Sequence, residues 1–199
     1  MGEMIGACWA FSTAATIESL TQINLGVLYD LSVQQIVDCD TSNLGCKGGW
    51  PHLAFRYIMK QGGLTTEATY PFAGVDGTCD AMKAAQTVAA IGGYVRVPRN
   101  SEQALMAAVA QQPVSVGLHA SDDFQHYRKG VFNGYCQNNN ITHIVTFVGY
   151  DETSSDKYWI VKNSWGDWWG DNGYIKMERD IASPEGLCGI ATYAVYPTP

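Results

Sequence analysis

A cysteine, a histidine and an asparagine stand out by type and spacing. Cys8 sits in the run Gly6-Ala7-Cys8-Trp9-Ala10-Phe11-Ser12, His143 follows 135 residues after it, and Asn163 follows 155 after it. A cysteine attacks carbon only as a thiolate, so it needs a proton acceptor beside it. An imidazole can take that proton and return it to a leaving group, and an amide can hold the imidazole in one tautomer. The same imidazole chemistry is not expected of His52, His119 or His126, which lack supporting flanks and read as structural or exposed. No Cys-x-x-Cys pair argues for zinc, and Gly45 to Gly49 lacks the Lys-Ser/Thr ending of a phosphate loop. No metal and no cofactor is therefore expected.

The elements that must position these groups can be sketched from periodicity. Residues 8–23 read as a helix with Trp9, Phe11, Ile17 and Leu20 apolar, stopped by Asn24-Leu25-Gly26. Cys8 then lies in the first turn, where the helix dipole favours a thiolate. Ser32 with Gln35 three residues on reads as a capping box opening a second helix. Pro51 to Lys60 reads as a third helix, ended by Gly62-Gly63. Residues 64–100, rich in Gly and Pro, read as loop with short strands and could hold a domain boundary. Ser101 to Gln111 is a helix capped by Ser101 or Asn100. Val114–Leu118, His143–Tyr150, Tyr158–Asn163 and Gly173–Met177 are strand candidates. A helical first half facing a strand-rich second half would form a cleft, a common place for a site.

The chain has 199 residues, is 46% hydrophobic and carries a net charge of −7 with 12 Lys plus Arg. That supports one domain or two small ones and gives no basic tract for nucleic acid. No apolar window is long enough to span a bilayer, so no membrane association is expected. Met1-Gly2-Glu3-Met4 lacks the basic start of a signal peptide. Six cysteines, at 8, 39, 46, 79, 136 and 188, leave many pairings open. If Cys8 is a free nucleophile, two disulfides plus two thiols is the simplest arithmetic, and disulfides imply an oxidising compartment. Six reduced, buried thiols are the alternative.

Several further runs occur in order: Leu31-Ser32 to Gln35 with Asp38-Cys39, Gly45-Cys46-Lys47-Gly48-Gly49, Tyr70-Pro71, Gln112-Pro113-Val114-Ser115-Val116 and Gly130-Val131-Phe132. After His143 come Val148-Gly149-Tyr150, Trp159 to Gly166, Trp169-Gly170, Asn172-Gly173-Tyr174 and Cys188-Gly189-Ile190. With the Cys8 run, these resemble the papain-like cysteine proteases over essentially the whole chain, and plant members in particular.

The resemblance implies an α+β, two-domain fold. A helical left domain (1–94) would carry Cys8, and a right domain (95–193) on an antiparallel, barrel-like sheet would carry His143 and Asn163. The active-site cleft would lie between them, with 194–199 returning towards the left domain. It implies cysteine endopeptidase activity through an acyl-enzyme on Cys8, with Cys8, His143 and Asn163 catalytic. Substrate-binding positions would be Gly48, Gly49, Trp50, Pro51, Gly117, Ile141, Thr142, Ile144, Trp165 and Tyr193, forming a main pocket for a hydrophobic side chain. Trp165 would shield the Asn163–His143 bond, and Gly49 would pair with substrate backbone. The implied disulfides are Cys39–Cys79 and Cys136–Cys188. Cys46 would be a free thiol, because Ile5 stands where its partner is expected.

In the oxyanion hole the backbone N–H of Cys8 would remain, but Gly2 stands at the usual glutamine. The resemblance also implies an upstream stretch that this sequence does not contain, so the sequence is read as a fragment or as one that opens differently. Thr142 precedes His143 where members often carry Asp or Asn, and Asn140-Ile141-Thr142 is a possible glycosylation sequon. Implied partners are peptide and protein substrates, cystatin-like inhibitors and a propeptide, for a monomer in a vacuole or lysosome or outside the cell. The competing reading is a catalytically impaired or non-enzymatic protein of the same fold, acting in binding or as a relic.

Overall fold

The structure, a computed structural model, describes residues 6–136 and 140–199. The chain divides into two compact units, Met1–Val95 with Pro197–Pro199, and Arg96–Tyr196.

The first unit holds α1 (Cys8–Leu25), α2 (Val33–Cys39), α3 (Pro51–Gln61), α4 (Ala81–Ala84) and most of β1 (Gly93–Arg96). Trp9, Ile17, Ile36, Phe55 and Ile58 are fully buried there. α1 also buries Thr13, Thr16 and Thr21, whose hydroxyls donate to carbonyls three or four residues back, so their burial leaves no donor unpaired. The helix runs two residues beyond the sequence expectation and stops at Gly26, whose φ of 73° is the left-handed conformation that glycine adopts without strain.

Ser32 caps α2 as expected, its Oγ accepting from the Gln35 N–H at 2.9 Å. The reciprocal half of the capping box is absent. Gln35 Oε1 instead accepts from the Thr65 N–H at 2.8 Å, and its Nε2 donates to the Tyr57 hydroxyl at 3.2 Å. The Ser32 N–H donates to the Thr65 carbonyl at 2.9 Å. With that donor already satisfied, the buried Gln35 side chain serves a backbone N–H that would otherwise be orphaned.

The second unit contains α5 (Glu102–Val109), β2 (Val114–Leu118), α6 (Asp122–Gln125), β3 (Val131–Phe132), β4 (His143–Glu152), β5 (Lys157–Lys162), β6 (Tyr174–Glu178) and most of β7 (Ala194–Thr198). The strand order is β1-β7-β2-β4-β5-β6-β3. The sheet is mixed, which corrects the expectation of an antiparallel one: Val131 and Phe132 pair parallel to Lys176 and Met177. No hairpin joins those two strands, so nothing forces them to run in opposite directions. β2 is buried at all five positions although its residue types alternate, because both of its faces are covered. Leu105, Val116, Phe147, Trp159, Val161 and Ile175 form the centre of this core. Ser101 caps α5 by accepting from the Ala104 N–H, and Trp159 Nε1 donates to Glu102 Oε2 at 2.9 Å, tying α5 to β5.

Buried Ser32 also donates its hydroxyl to the Tyr70 carbonyl at 2.6 Å. Ser32→Ala removes the cap and that bond together, and urea denaturation should show a loss of about 1–3 kcal/mol. An unchanged midpoint would mean that α2 does not need its cap.

Candidate active site

Cys8 is the first residue of α1, so its thiol and backbone N–H lie at the positive end of an 18-residue helix. Trp9, next in sequence, is fully buried and its Nε1 donates to the Gly45 carbonyl at 3.1 Å, which pins the 43–50 loop to the first turn of α1. The Gly6 N–H donates to the Cys46 carbonyl at 3.0 Å, tying the entry to α1 to the same loop. Gly48 and Gly49 are required there for different reasons. Gly48 has a φ of 121°, which L side chains rarely adopt, while a Cβ on it would meet nothing. A Cβ on Gly49 would lie 2.6 Å from Asn43 Oδ1 and 2.7 Å from the Trp9 ring. Asn43, which sequence reading missed, accepts from the Trp50 N–H at 2.7 Å and donates to Asp40 Oδ2 at 2.7 Å. It lies among Asp, Ser and Gly typical of any turn, so no signal marked it. Trp50 is half-exposed, and Pro51 is buried at the start of α3.

The second unit assembles His143 and Asn163. His143 opens β4, opposite Leu118 of β2, and shares a face with Val145 and Phe147. Asn163 follows directly on β5, held by its N–H donating to the Gly173 carbonyl at 2.9 Å. Thr146 pairs with Lys162, which brings Asn163 level with the face of β4 that carries Val145 and His143, while the register shift at Val148 lies beyond the Phe147–Val161 pair. His143 Nε2 lies 2.7 Å from Asn163 Oδ1. That same oxygen accepts from the Ser164 N–H at 2.8 Å, which identifies it as the oxygen. An oxygen can only accept, so Nε2 carries the imidazole proton and Nδ1 keeps a lone pair. Trp165 packs on the imidazole at 4.7 Å between centroids, and Phe124 meets it edge-on at 6.4 Å. Phe124 had no sequence signal, since it belongs to a four-residue helix. Asn163 Nδ2 is buried without a partner. An apolar residue would avoid that cost, so the amide is retained for its oxygen.

Gly117 pairs with Ile144 across β2 and β4, and its N–H donates to the Tyr193 carbonyl at 2.9 Å. A Cβ on Gly117 would lie 2.9 Å from Ile141 and 3.2 Å from the Tyr193 ring, so these side chains already fill the space above the glycine. Thr142 is exposed, and its Oγ1 accepts from the Ala120 N–H at 3.0 Å. Asn140 is exposed, with its carbonyl 3.1 Å from His119 Nδ1. Gly2 and Ile5 lie outside the described residues.

Disulfides join Cys39 to Cys79 and Cys136 to Cys188, and Cys8 and Cys46 lie outside both bridges as thiols. The two are not equivalent. Burial, then a hydrogen bond from the thiol to Asp76, pushes Cys46 up to about 11, so it stays protonated. His143 moves the other way. Burial lowers it from 6.5 to about 4, and the Asn163 bond opposes the shift only in part. Among the described residues no group of three or more His, Cys, Asp or Glu side chains could hold a metal ion.

Residues 3–198 match the family described as papain family cysteine protease. The senescence-specific cysteine protease SAG12 of Arabidopsis thaliana is 52% identical over 195 residues, covering 97% of this chain and 56% of that protein. Zingipain-2 of Zingiber officinale is 50% identical over 193 residues, covering 96% of this chain and 86% of that one. The chain thus spans little more than half the length of several curated relatives. Bromelain from Ananas comosus, solved with the E64 inhibitor, superimposes with a TM-score of 0.94 at 48% identity, over 98% of this chain and 90% of that one. The ragweed pollen protease Amb a 11 in its proform gives 0.92 at 43%, over 96% and 59%.

The depressed His143 value has a measurable consequence. Between pH 6.5 and 4 the unfolded chain binds a proton that the folded chain refuses, so stability falls as pH is lowered through that window. Cys8→Ala removes one of the two thiols that lie outside the disulfides, and with it an ionisable group. In that background, imidazole NMR should show His143 titrating near 4, and His143→Gln should remove about 3 kcal/mol of the pH dependence of unfolding. Titration at or above 6.5 would overturn this reading of the buried imidazole.

Proposed function

The chain belongs to the papain family of cysteine proteases, and we propose that it hydrolyses peptide bonds through an acyl-enzyme on Cys8. The observation that carries the reading is the buried His143–Asn163 bond, which leaves Nδ1 as the basic nitrogen. His143 Nδ1 takes the Cys8 thiol proton, the sulfur adds to the substrate carbonyl carbon, and the C–N bond breaks as His143 returns the proton to the departing amine. Water then attacks the thioester, giving one proton to His143, and the acid product leaves as the Cys8 thiol re-forms. Asn163 keeps the imidazole oriented throughout, and Trp165 and Phe124 keep water from the bond that does so.

The developing oxyanion is met by the Cys8 backbone N–H at the α1 terminus. Gly2 offers no side-chain donor where the family resemblance expects glutamine, and lack of one such donor costs about 10²–10³-fold in kcat. Substrate backbone runs along Gly49, with Gly48 shaping the loop, and a hydrophobic substrate side chain is received by Trp50, Pro51, Gly117, Ile141, Ile144 and Tyr193. Ile141 and Tyr193 above Gly117 favour a compact aliphatic group there. Thr142 beside His143 carries no charge, and Asn140 next to it is a site for an N-glycan. Protein substrates, cystatin-like inhibitors and a propeptide are the proposed partners of a monomer. Two disulfides and the plant origin of the relatives support a vacuole or the extracellular space. Gly2 favours a second reading, a papain-fold protein impaired in catalysis that acts by binding.

Labelling with a class-directed epoxide, read by peptide mass spectrometry, separates the two. Stoichiometric label on Cys8, lost in His143→Ala while Cys46 stays unmodified, is the expected result. Folded protein that takes no label would favour the binding reading. If labelling succeeds, Gly2→Gln should raise kcat on a peptide substrate by up to about 10²-fold. No gain would show that Gly2 is not at the oxyanion.

A further inference from the structure

The first unit carries a cavity of about 500 Å³ that none of the chemistry above uses. One wall is α3, presenting Arg56 and Lys60 one turn apart on the same face; the other is the turn after α2, with Thr41 and Ser42. Both cations are exposed, and neither makes an ion pair among the described residues. Two like charges at this spacing repel one another on a helix, in a chain with 19 acidic residues available to pair with 12 basic ones. Lys60 complements the negative end of α3, but Arg56, a turn earlier, has no such structural role. Asp40 also lines the cavity, and its buried carboxylate is turned to backbone and amide donors: Oδ1 accepts from the Ser42 N–H at 2.9 Å and Oδ2 from Asn43 Nδ2 at 2.7 Å. The cavity is therefore lined by two cations, one buried carboxylate and the hydroxyl-bearing Thr41 and Ser42, a balance of one positive charge.

We propose that this cavity binds a phosphate or sulfate monoester of a small, hydroxylated molecule. The guanidinium fork matches two oxygens of a tetrahedral anion, and the ammonium adds a point charge. Thr41 and Ser42 supply neutral hydrogen bonds, and the volume exceeds that of the bare anion and suits one sugar-sized body.

The test is calorimetric titration of the full chain at low ionic strength with glucose 6-phosphate, glucose 6-sulfate, inorganic phosphate and glucose. Both esters should bind saturably below about 10 mM, and glucose should not bind. Arg56→Gln/Lys60→Gln should weaken binding at least about tenfold, while the ligand-free protein stays folded with a thermal midpoint lowered by no more than a few degrees, the effect of losing Lys60 at the end of α3. Arg56→Lys, which keeps the charge but loses the fork, should fall between. A tighter phosphate ester would assign the ligand to phosphate esters, and a tighter sulfate ester to sulfate esters. Binding of inorganic phosphate as tight as that of either ester would overturn the hydroxylated body. No saturation with any anion, or equal binding by the double variant, would overturn the site.

Discussion

Burying an imidazole costs free energy unless its N–H is paired, and in this chain that pairing rests on one oxygen. Asn163 Oδ1 accepts from His143 Nε2 and from the Ser164 N–H at once. The second bond fixes the amide, the amide fixes the tautomer, and the tautomer decides which nitrogen can accept a proton. Much of the second unit serves this arrangement. β4 and β5 bring the two residues side by side, and Trp165 and Phe124 pack on the ring with Trp169 behind them. Leaving Asn163 Nδ2 unpaired is the cost of holding the oxygen in place.

The first unit solves a parallel problem by different means. A thiol at a helix N-terminus needs neighbouring backbone that stays in place to have a defined setting, yet loop 43–50 has little regular structure. Trp9 anchors it through one hydrogen bond, Asn43 grips both Trp50 and Asp40, and Gly49 permits the close approach. Rigidity is thus imported from α1, whose own polar side chains fold back onto its carbonyls. Among the described residues of this unit, positive φ is confined to glycines, as at Gly48.

The parts most legible in the sequence were those with dense local signals. The three main helices, the α5 segment and four strands carry caps, stops or β-branched runs, and Cys8, His143 and Asn163 stand in distinctive flanks. The end of α1 lies two residues past the expected one because the helix continues up to the glycine that stops it, Gly26. Short elements such as α4, α6 and β3 were missed because two to four residues carry no period; tertiary contacts make them regular. The parallel β3–β6 pair and the redirected Gln35 were likewise invisible, since each depends on a partner distant in sequence. Asn43 and Phe124 belong with these, as position rather than residue type gives them their roles.

The placement of the disulfides adds a redox consequence. The Cys136–Cys188 bridge closes a ring of chain that contains both His143 and Asn163, so even a fully unfolded molecule keeps the two within one closed loop. Cys8 lies outside both rings. A reductant strong enough to keep it as a thiol also confronts two bridges, and they differ in access: Cys79 is exposed, whereas Cys188 is buried. Thiol exchange therefore reaches the Cys39–Cys79 bridge first, and the protonated Cys46 is a poor internal attacker on it. The bridge most open to reductant holds the unit with Cys8, and the sheltered one holds the unit with His143 and Asn163, so over-reduction loosens the surroundings of Cys8 before those of His143.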